Sequence, residues 1–183
     1  EPLKKVQKPF NRITYSEAAQ TLRSEETRKW LDAELGRDKA KLDKMIAELR
    51  ALEAKLETSK ESRKDELQGQ IHDVRENLHD LEDEVRNQPE HIKLAQSFEW
   101  GKDLGGSDET IISRQSDRPV FVTHYPREAK AFYMKRSLDD PRVVNNVDLL
   151  APEGYGEIIG GSQREDNLDV LISAIKEKKL NPD

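Results

Sequence analysis

Cysteine is absent from the 183 residues, which excludes a disulfide scaffold, a thiolate metal site and a thiol nucleophile, and suits a reducing compartment. Apolar runs are short as well: none approaches the roughly 20 residues that cross a bilayer. The charged, proline-bearing amino end lacks the pattern of a signal peptide. A cytoplasmic chain with no membrane partner is therefore the expectation. Aromatic residues make up only 5% of the chain, and none occurs between Trp30 and Phe98. Proline is missing between Pro9 and Pro89, and most of the glycines lie beyond residue 100. These gaps divide the chain into an amino-terminal segment, 1–36, a polar helical segment, 37–97, and a carboxy-terminal segment, 98–183.

What the chain has in abundance is charge, at 37% of residues with a net of −6. Residues 37–97 carry 12 Lys and Arg against 15 Asp and Glu. That sign opposes phosphate binding along the arm, and no DNA partner is expected. The apolar residues there are ordered. Leu35, Leu42, Leu49 and Leu56 recur every seven positions with Met45 and Leu52 between them, and Ile71, Leu78 and Val85 interleave with Leu67, Val74 and Leu81. This is the 4-3 spacing of a coiled-coil seam. The short polar stretch Thr58 to Ser62 makes the two arms antiparallel, each of some 24 residues and about 35 Å long. Pro89 is expected to end the second arm. The arm reads as a solvated insertion, with an RNA- or partner-contacting finger as the alternative. His72, His79 and His91 read as surface residues.

In the amino-terminal segment, Thr14 followed by Glu17 is a capping box that opens a helix from about Tyr15 to Leu22. The carboxy-terminal segment alternates short apolar runs with turn residues. Strands are expected at Val120 to Thr123, Ala131 to Lys135, Val143 to Leu150 and Glu157 to Ile159, with a closing helix from about Glu165 to Lys179. Loops too short for a crossover helix make the strands antiparallel. The fold class is α+β: an antiparallel sheet with flanking helices, plus the inserted antiparallel helical hairpin.

The run Gly156-Glu157-Ile158-Ile159-Gly160-Gly161-Ser162-Gln163-Arg164-Glu165 concentrates the chemistry. Glu157 and Arg164 are seven apart, so an unbroken strand would aim them at opposite faces. A bulge at Gly160-Gly161 would bring them to one face, where Asp148 joins them. Two carboxylates and a cation suit a hard metal ion, a phosphate and a zwitterionic small molecule; the plain alternative is a salt bridge on a sheet surface. A P-loop is excluded, since no Gly-Lys-Ser/Thr follows.

The run from Asp148 to Glu165, together with Pro119 to Pro126 and Lys130-Ala-Phe-Tyr-Met134, resembles the asparaginyl-tRNA synthetases, class II ligases of the aspartyl/asparaginyl/lysyl subgroup. Pro9 to Ala18 and Glu99 to Gly105 extend the likeness, which covers roughly residues 5–22 and 98–180. The resemblance implies a ligase that activates asparagine with ATP and passes it to tRNA(Asn), with Mg²⁺ as the metal and a homodimer as the form the family's first motif builds. It implies that Glu157 binds Mg²⁺ and the ATP phosphates with Asp148 as acidic companion, and that Arg164 reads the amino-acid side chain. Gly160 and Gly161 would admit nucleotide and substrate, and Tyr133 would line the pocket. The family's three signature motifs and its anticodon-binding module are absent from these residues, and Asp108-Glu109 stands where relatives show His-Glu. An internal segment between the second and third motifs, inactive alone, is thus expected. Two other readings stay open: a non-catalytic coiled-coil interaction module on a synthetase-like remnant, and an ammonia-dependent asparagine synthetase-like enzyme.

Overall fold

The computed structural model describes residues 9–180; residues 5–8, where the resemblance begins, and the outermost parts of the segments 1–36 and 98–183 lie outside that range. The described chain forms two compact units. One holds the residues up to Ser24 and those from Ala95 onward, and the other is Glu25–Leu94.

In the first unit, β1 (Asn11–Thr14) runs directly into α1 (Tyr15–Leu22). Thr14 accepts a hydrogen bond from the Glu17 amide at 3.2 Å, and the Glu17 carboxylate accepts one from the Thr14 amide at 2.6 Å. The capping box read in the sequence is therefore formed in full. The buried face of α1 is Tyr15, Ala18, Ala19 and Leu22. Tyr15 is fully buried at the centre of an aromatic cluster, with ring centroids 5.2 Å from Tyr125, 6.0 Å from Trp100 and 6.1 Å from Phe98. Its hydroxyl donates to the Lys102 carbonyl at 2.6 Å and accepts from the Gly101 amide at 3.1 Å. Burying so large a ring requires such partners for its polar end.

After α4 (Gly106–Arg114) come β2 (Val120–Thr123), β3 (Asn146–Ala151), β4 (Gly156–Ser162) and α5 (Leu168–Glu177), and the sheet order is β1-β2-β3-β4. β2, β3 and β4 are antiparallel, as expected, but β1 pairs with β2 in parallel, so the sheet is mixed. The rule that short loops force antiparallel pairing applies only to neighbours in sequence. Between β1 and β2 lie about a hundred residues including four helices, long enough for a parallel connection.

Three local expectations are corrected. No strand forms at 131–135: the segment turns and pairs one residue at a time, with Met134 opposite Arg164 and Arg136 opposite Val144. The third strand begins at Asn146 rather than Val143. The closing helix begins at Leu168 rather than Glu165, because the Asn167 side chain caps the amides of Asp169 and Val170 at 3.0 and 3.2 Å. Helix α4 and strand β1 have no counterpart in the sequence reading. The signal for α4 was the Asp108 carboxylate, which accepts from the Gly105 amide at 3.0 Å and closes its first turn.

The second unit is built by α2 (Glu25–Thr58) and α3 (Glu61–Gln96). At 34 and 36 residues, each spans about 50 Å, longer than expected, chiefly at the end away from the turn, which falls at Ser59-Lys60 within the expected stretch. α3 passes through Pro89 without ending. A helical proline costs one backbone hydrogen bond, and the 4-3 spacing continues past it through Gln88 and Ile92, which stay inward. On α2 the same spacing runs Leu31, Leu35, Asp38, Leu42, Met45, Leu49, Leu52, Leu56, all buried or half-buried. Asp38 and Gln88 thus form one polar layer in an apolar seam, with the Gln88 amide donating to the Asp38 carboxylate at 2.9 Å. Arg75 and Glu53 join the two helices again at 2.6 Å, nearer the turn.

Candidate active site on the β3–β4 face

The pairing of β3 with β4 settles which side chains meet. Asp148 lies opposite Gly160 and Leu150 opposite Glu157, with the register shifting between Leu149 and Leu150. Ile158 is therefore the extra residue of a β-bulge. On one side of it Glu157 shares the face of Leu150 and Asp148, and on the other Gly160 shares that same face. The expected bulge exists and does what parity required, but it sits at Ile158 instead of at Gly160-Gly161. Alternation from Gly160 carries Arg164 to this face too. Gly161 pairs with Val147 on the opposite face, so it is not brought together with the others.

A side chain at Gly160 would strike the Glu157 carboxylate, and its Cβ would also lie 3.5 Å from Asp148 Oδ1. Glycine here leaves the space in which the two carboxylates approach each other. The turn before β4 is made by Glu153, Gly154 and Gly156, all at positive φ. A Cβ at Gly154 would come within 3.1 Å of Thr110 and 3.2 Å of Arg114. The bare glycine lets α4 pack closely against the turn, which carries Glu109 toward the site. Burial raises the Glu109 pKa, and the neighbouring Glu157 and Asp148 carboxylates raise it further.

Arg164 and Tyr133 form the other end of the face. The Arg164 guanidinium lies 4.4 Å from the centroid of the Tyr133 ring. The backbones are tied beside it, with the Glu165 amide donating to the Tyr133 carbonyl at 2.9 Å and Lys135 to Gln163 at 2.9 Å. Next to it, Lys135 and Asp166 form an ion pair. Stacking holds the guanidinium plane while leaving its N–H groups free to bond a ligand.

Two residues of this region, Lys130 and Tyr125, were assigned no role from the sequence, although both lie in runs that carry the resemblance. Lys130, between the two ends, reaches Asp148 Oδ2 and Asp103 Oδ1, each at 3.1 Å, and sits 4.1 Å above the ring of Tyr125. Burial works against the Lys130 charge, but Asp148 and Asp103 outweigh it and its pKa is raised. Burial, with the Asp148 carboxylate second, pushes the Tyr125 hydroxyl up and keeps it neutral. Glu109, noted in the sequence with Asp108 as standing where relatives show His-Glu, is a further carboxylate beside Glu157 and Asp148. A lysine beside Ala131-Phe132-Tyr133 was the available signal, since a cation among apolar neighbours needs a carboxylate partner.

Among the described residues, no group of three or more His, Asp and Glu is arranged to hold a metal ion alone. Two facing carboxylates beside an open glycine do fit a magnesium ion shared with phosphate oxygens, which characteristically uses one or two carboxylates. Also among the described residues, no helix is long and apolar enough to cross a membrane.

Known proteins share this sequence and fold. The chain is 53% identical over 97 residues to an asparagine–tRNA ligase of Pyrococcus abyssi, covering 51% of this chain and 22% of that protein. It is 58% identical over 86 residues to an asparagine–tRNA ligase of Sorangium cellulosum, covering 47% and 19%. It thus spans about a fifth of the length of these relatives. The asparaginyl-tRNA synthetase of Entamoeba histolytica, solved with asparaginyl-adenylate, superposes on 97% of this chain and 25% of its own, with 25% identity and a TM-score of 0.55. A match of that extent takes in the helical hairpin as well as the sheet. The model of the family described as tRNA synthetases class II (D, K and N) matches residues 1–183, and the chain belongs to that family.

Proposed function

We propose that this chain is the part of an asparagine–tRNA ligase whose sheet carries the amino-acid and phosphate ends of the adenylation site. The observation that carries the proposal is the single face on which the bulge at Ile158 gathers Asp148 and Glu157, with Arg164, stacked on Tyr133, in line with them along the same chain. The identity to asparagine–tRNA ligases supports the choice of substrate.

In this reading, asparagine binds with its side-chain amide against Arg164, whose plane Tyr133 holds. Glu157 and Asp148 face the phosphates of ATP and would hold magnesium with them. When bound, the ion neutralises phosphate charge. An oxygen of the asparagine carboxylate attacks the α-phosphorus, and the bond to pyrophosphate breaks, leaving asparaginyl-adenylate. A ribose hydroxyl at the 3′ end of tRNA(Asn) then attacks the acyl carbon and releases AMP. The residues here contribute positioning and charge rather than a covalent intermediate. Groups outside these residues complete the site, so the chain alone is inactive, and the whole enzyme works in the cytoplasm.

The test is asparagine-dependent exchange of labelled pyrophosphate into ATP by the full-length protein, followed by charging of tRNA(Asn). Exchange with asparagine and not with aspartate is the expected result. Absence of asparagine-dependent exchange, or formation of free asparagine from aspartate and ammonia, would overturn the proposal.

A further inference from the structure

Lys130 is held on three sides, by Asp148, Asp103 and the ring of Tyr125. Its side chain is 17% exposed and that of Asp148 7%. One carboxylate oxygen of Asp148, Oδ2, accepts from Lys130 at 3.1 Å. The other, Oδ1, points to the space over Gly160 that the Glu157 carboxylate also enters. Below the ammonium lies the fully buried ring of Tyr125, and beside it Asp103 takes a second bond. A carboxylate on a strand otherwise rotates about its last bond. Here one oxygen is anchored, so the direction of the other is set. Lys130 is also the only cation in direct contact with Asp148 among the described residues, in a region that holds Asp103, Glu109, Asp148 and Glu157 together.

We infer that Lys130 is a positioning residue of the adenylation site: by binding Asp148 Oδ2 it aims Oδ1 at the position shared with Glu157, and it acts on the reaction through Asp148 without touching substrate. This rests on the function proposed above. Groups that orient a ligating carboxylate typically change affinity or rate by about 10- to 100-fold when removed, and that is the size expected here. Removing one partner of a buried pair also leaves the other charge uncompensated, so the test includes a variant lacking both.

The experiment uses the full-length protein with Lys130→Met, Asp148→Asn and the double variant, read by pyrophosphate exchange and by calorimetric binding of asparagine and, separately, of ATP with magnesium. Lys130→Met is expected to lower kcat for exchange by about 10- to 100-fold and to weaken ATP binding, while asparagine affinity moves by no more than about twofold. The double variant is expected to match Asp148→Asn, because a residue that acts only through Asp148 has nothing left to do once that carboxylate is gone. A double variant about tenfold or more below Asp148→Asn would overturn the inference, as would a loss of asparagine affinity in step with the rate. If Lys130→Met does not fold, the comparison of the double variant with Asp148→Asn still decides. Full exchange by Asp148→Asn would instead refute the role proposed for the carboxylate pair, a separate failure.

Discussion

The Glu157 carboxylate occupies the space that a side chain on Gly160 would need. Two residues three apart in one strand meet because the bulge at Ile158 turns both to the same side, opposite Leu150 and Asp148. The glycine is thus required by its neighbour's position, and this leads to the first prediction.

Gly160→Ala forces the Glu157 side chain away from Asp148. It should change stability by no more than about 1 kcal/mol, because the obstructing atom ends an exposed, flexible side chain, but lower asparagine-dependent exchange by about tenfold or more, since a displaced group of about 1 Å costs that much or more. Gly161→Ala meets only Val147 Cγ1 at 3.9 Å and should change stability by no more than about 1 kcal/mol. Denaturant melts and exchange rates of the two variants, compared side by side, check both outcomes.

Arg164→Ala should abolish asparagine activation with little effect on the fold. The arginine is exposed, and its stacking on Tyr133 contributes about 0.5–1 kcal/mol. Calorimetric titration with asparagine tests the role: unchanged affinity in the variant would show that another group reads the side chain.

Replacing residues 39–87 with a short flexible linker should leave adenylate formation near that of the intact enzyme. Asp38 and Gln88 already meet side chain to side chain at 2.9 Å, so a few residues of about 3.3–3.6 Å each bridge the gap. Pyrophosphate exchange and tRNA charging, measured separately, divide the outcomes. A loss confined to charging would assign the hairpin a contact with RNA.

Thr14→Ala should destabilise the protein by about 0.5–2 kcal/mol through loss of the helix cap, and the loss should shrink in acid. The Glu17 pKa is lowered, first by the hydrogen bond from the Thr14 amide and then by that from its hydroxyl. A depressed carboxylate pKa stabilises the folded state fully above the usual value near 4.5 and loses that contribution as pH falls through the folded value. Thermal melts of both proteins between neutral pH and about pH 3 should therefore show a narrowing gap that does not close, since the variant keeps the backbone amide that lowers the pKa most; a constant gap would show that the bond from the Thr14 hydroxyl to the carboxylate contributes nothing.

Wherever the deciding interaction lies within one turn or one heptad, the amino-acid sequence determined the result. Thr14 and Glu17 form their box, and the leucines of α2 and α3 form their seam, because the partners are three, four or seven residues apart and the helix alone brings them together. The charges of the β3–β4 face were legible for a similar reason: a glutamate, two glycines and an arginine within one short run allowed few arrangements. Long-range pairing lay outside that reach. Only the tertiary structure placed β1 parallel to β2, across about a hundred intervening residues. It also kept α3 helical through Pro89, where continued burial along the seam outweighs one lost backbone bond. The bulge fell at Ile158 because register is a property of two strands, and β4 alone does not specify which of its residues goes unpaired. Lys130 was silent in the sequence for the same reason: its meaning comes from Asp148 and Asp103, 18 residues ahead and 27 behind, and only folding brings those charges within 3.1 Å of it.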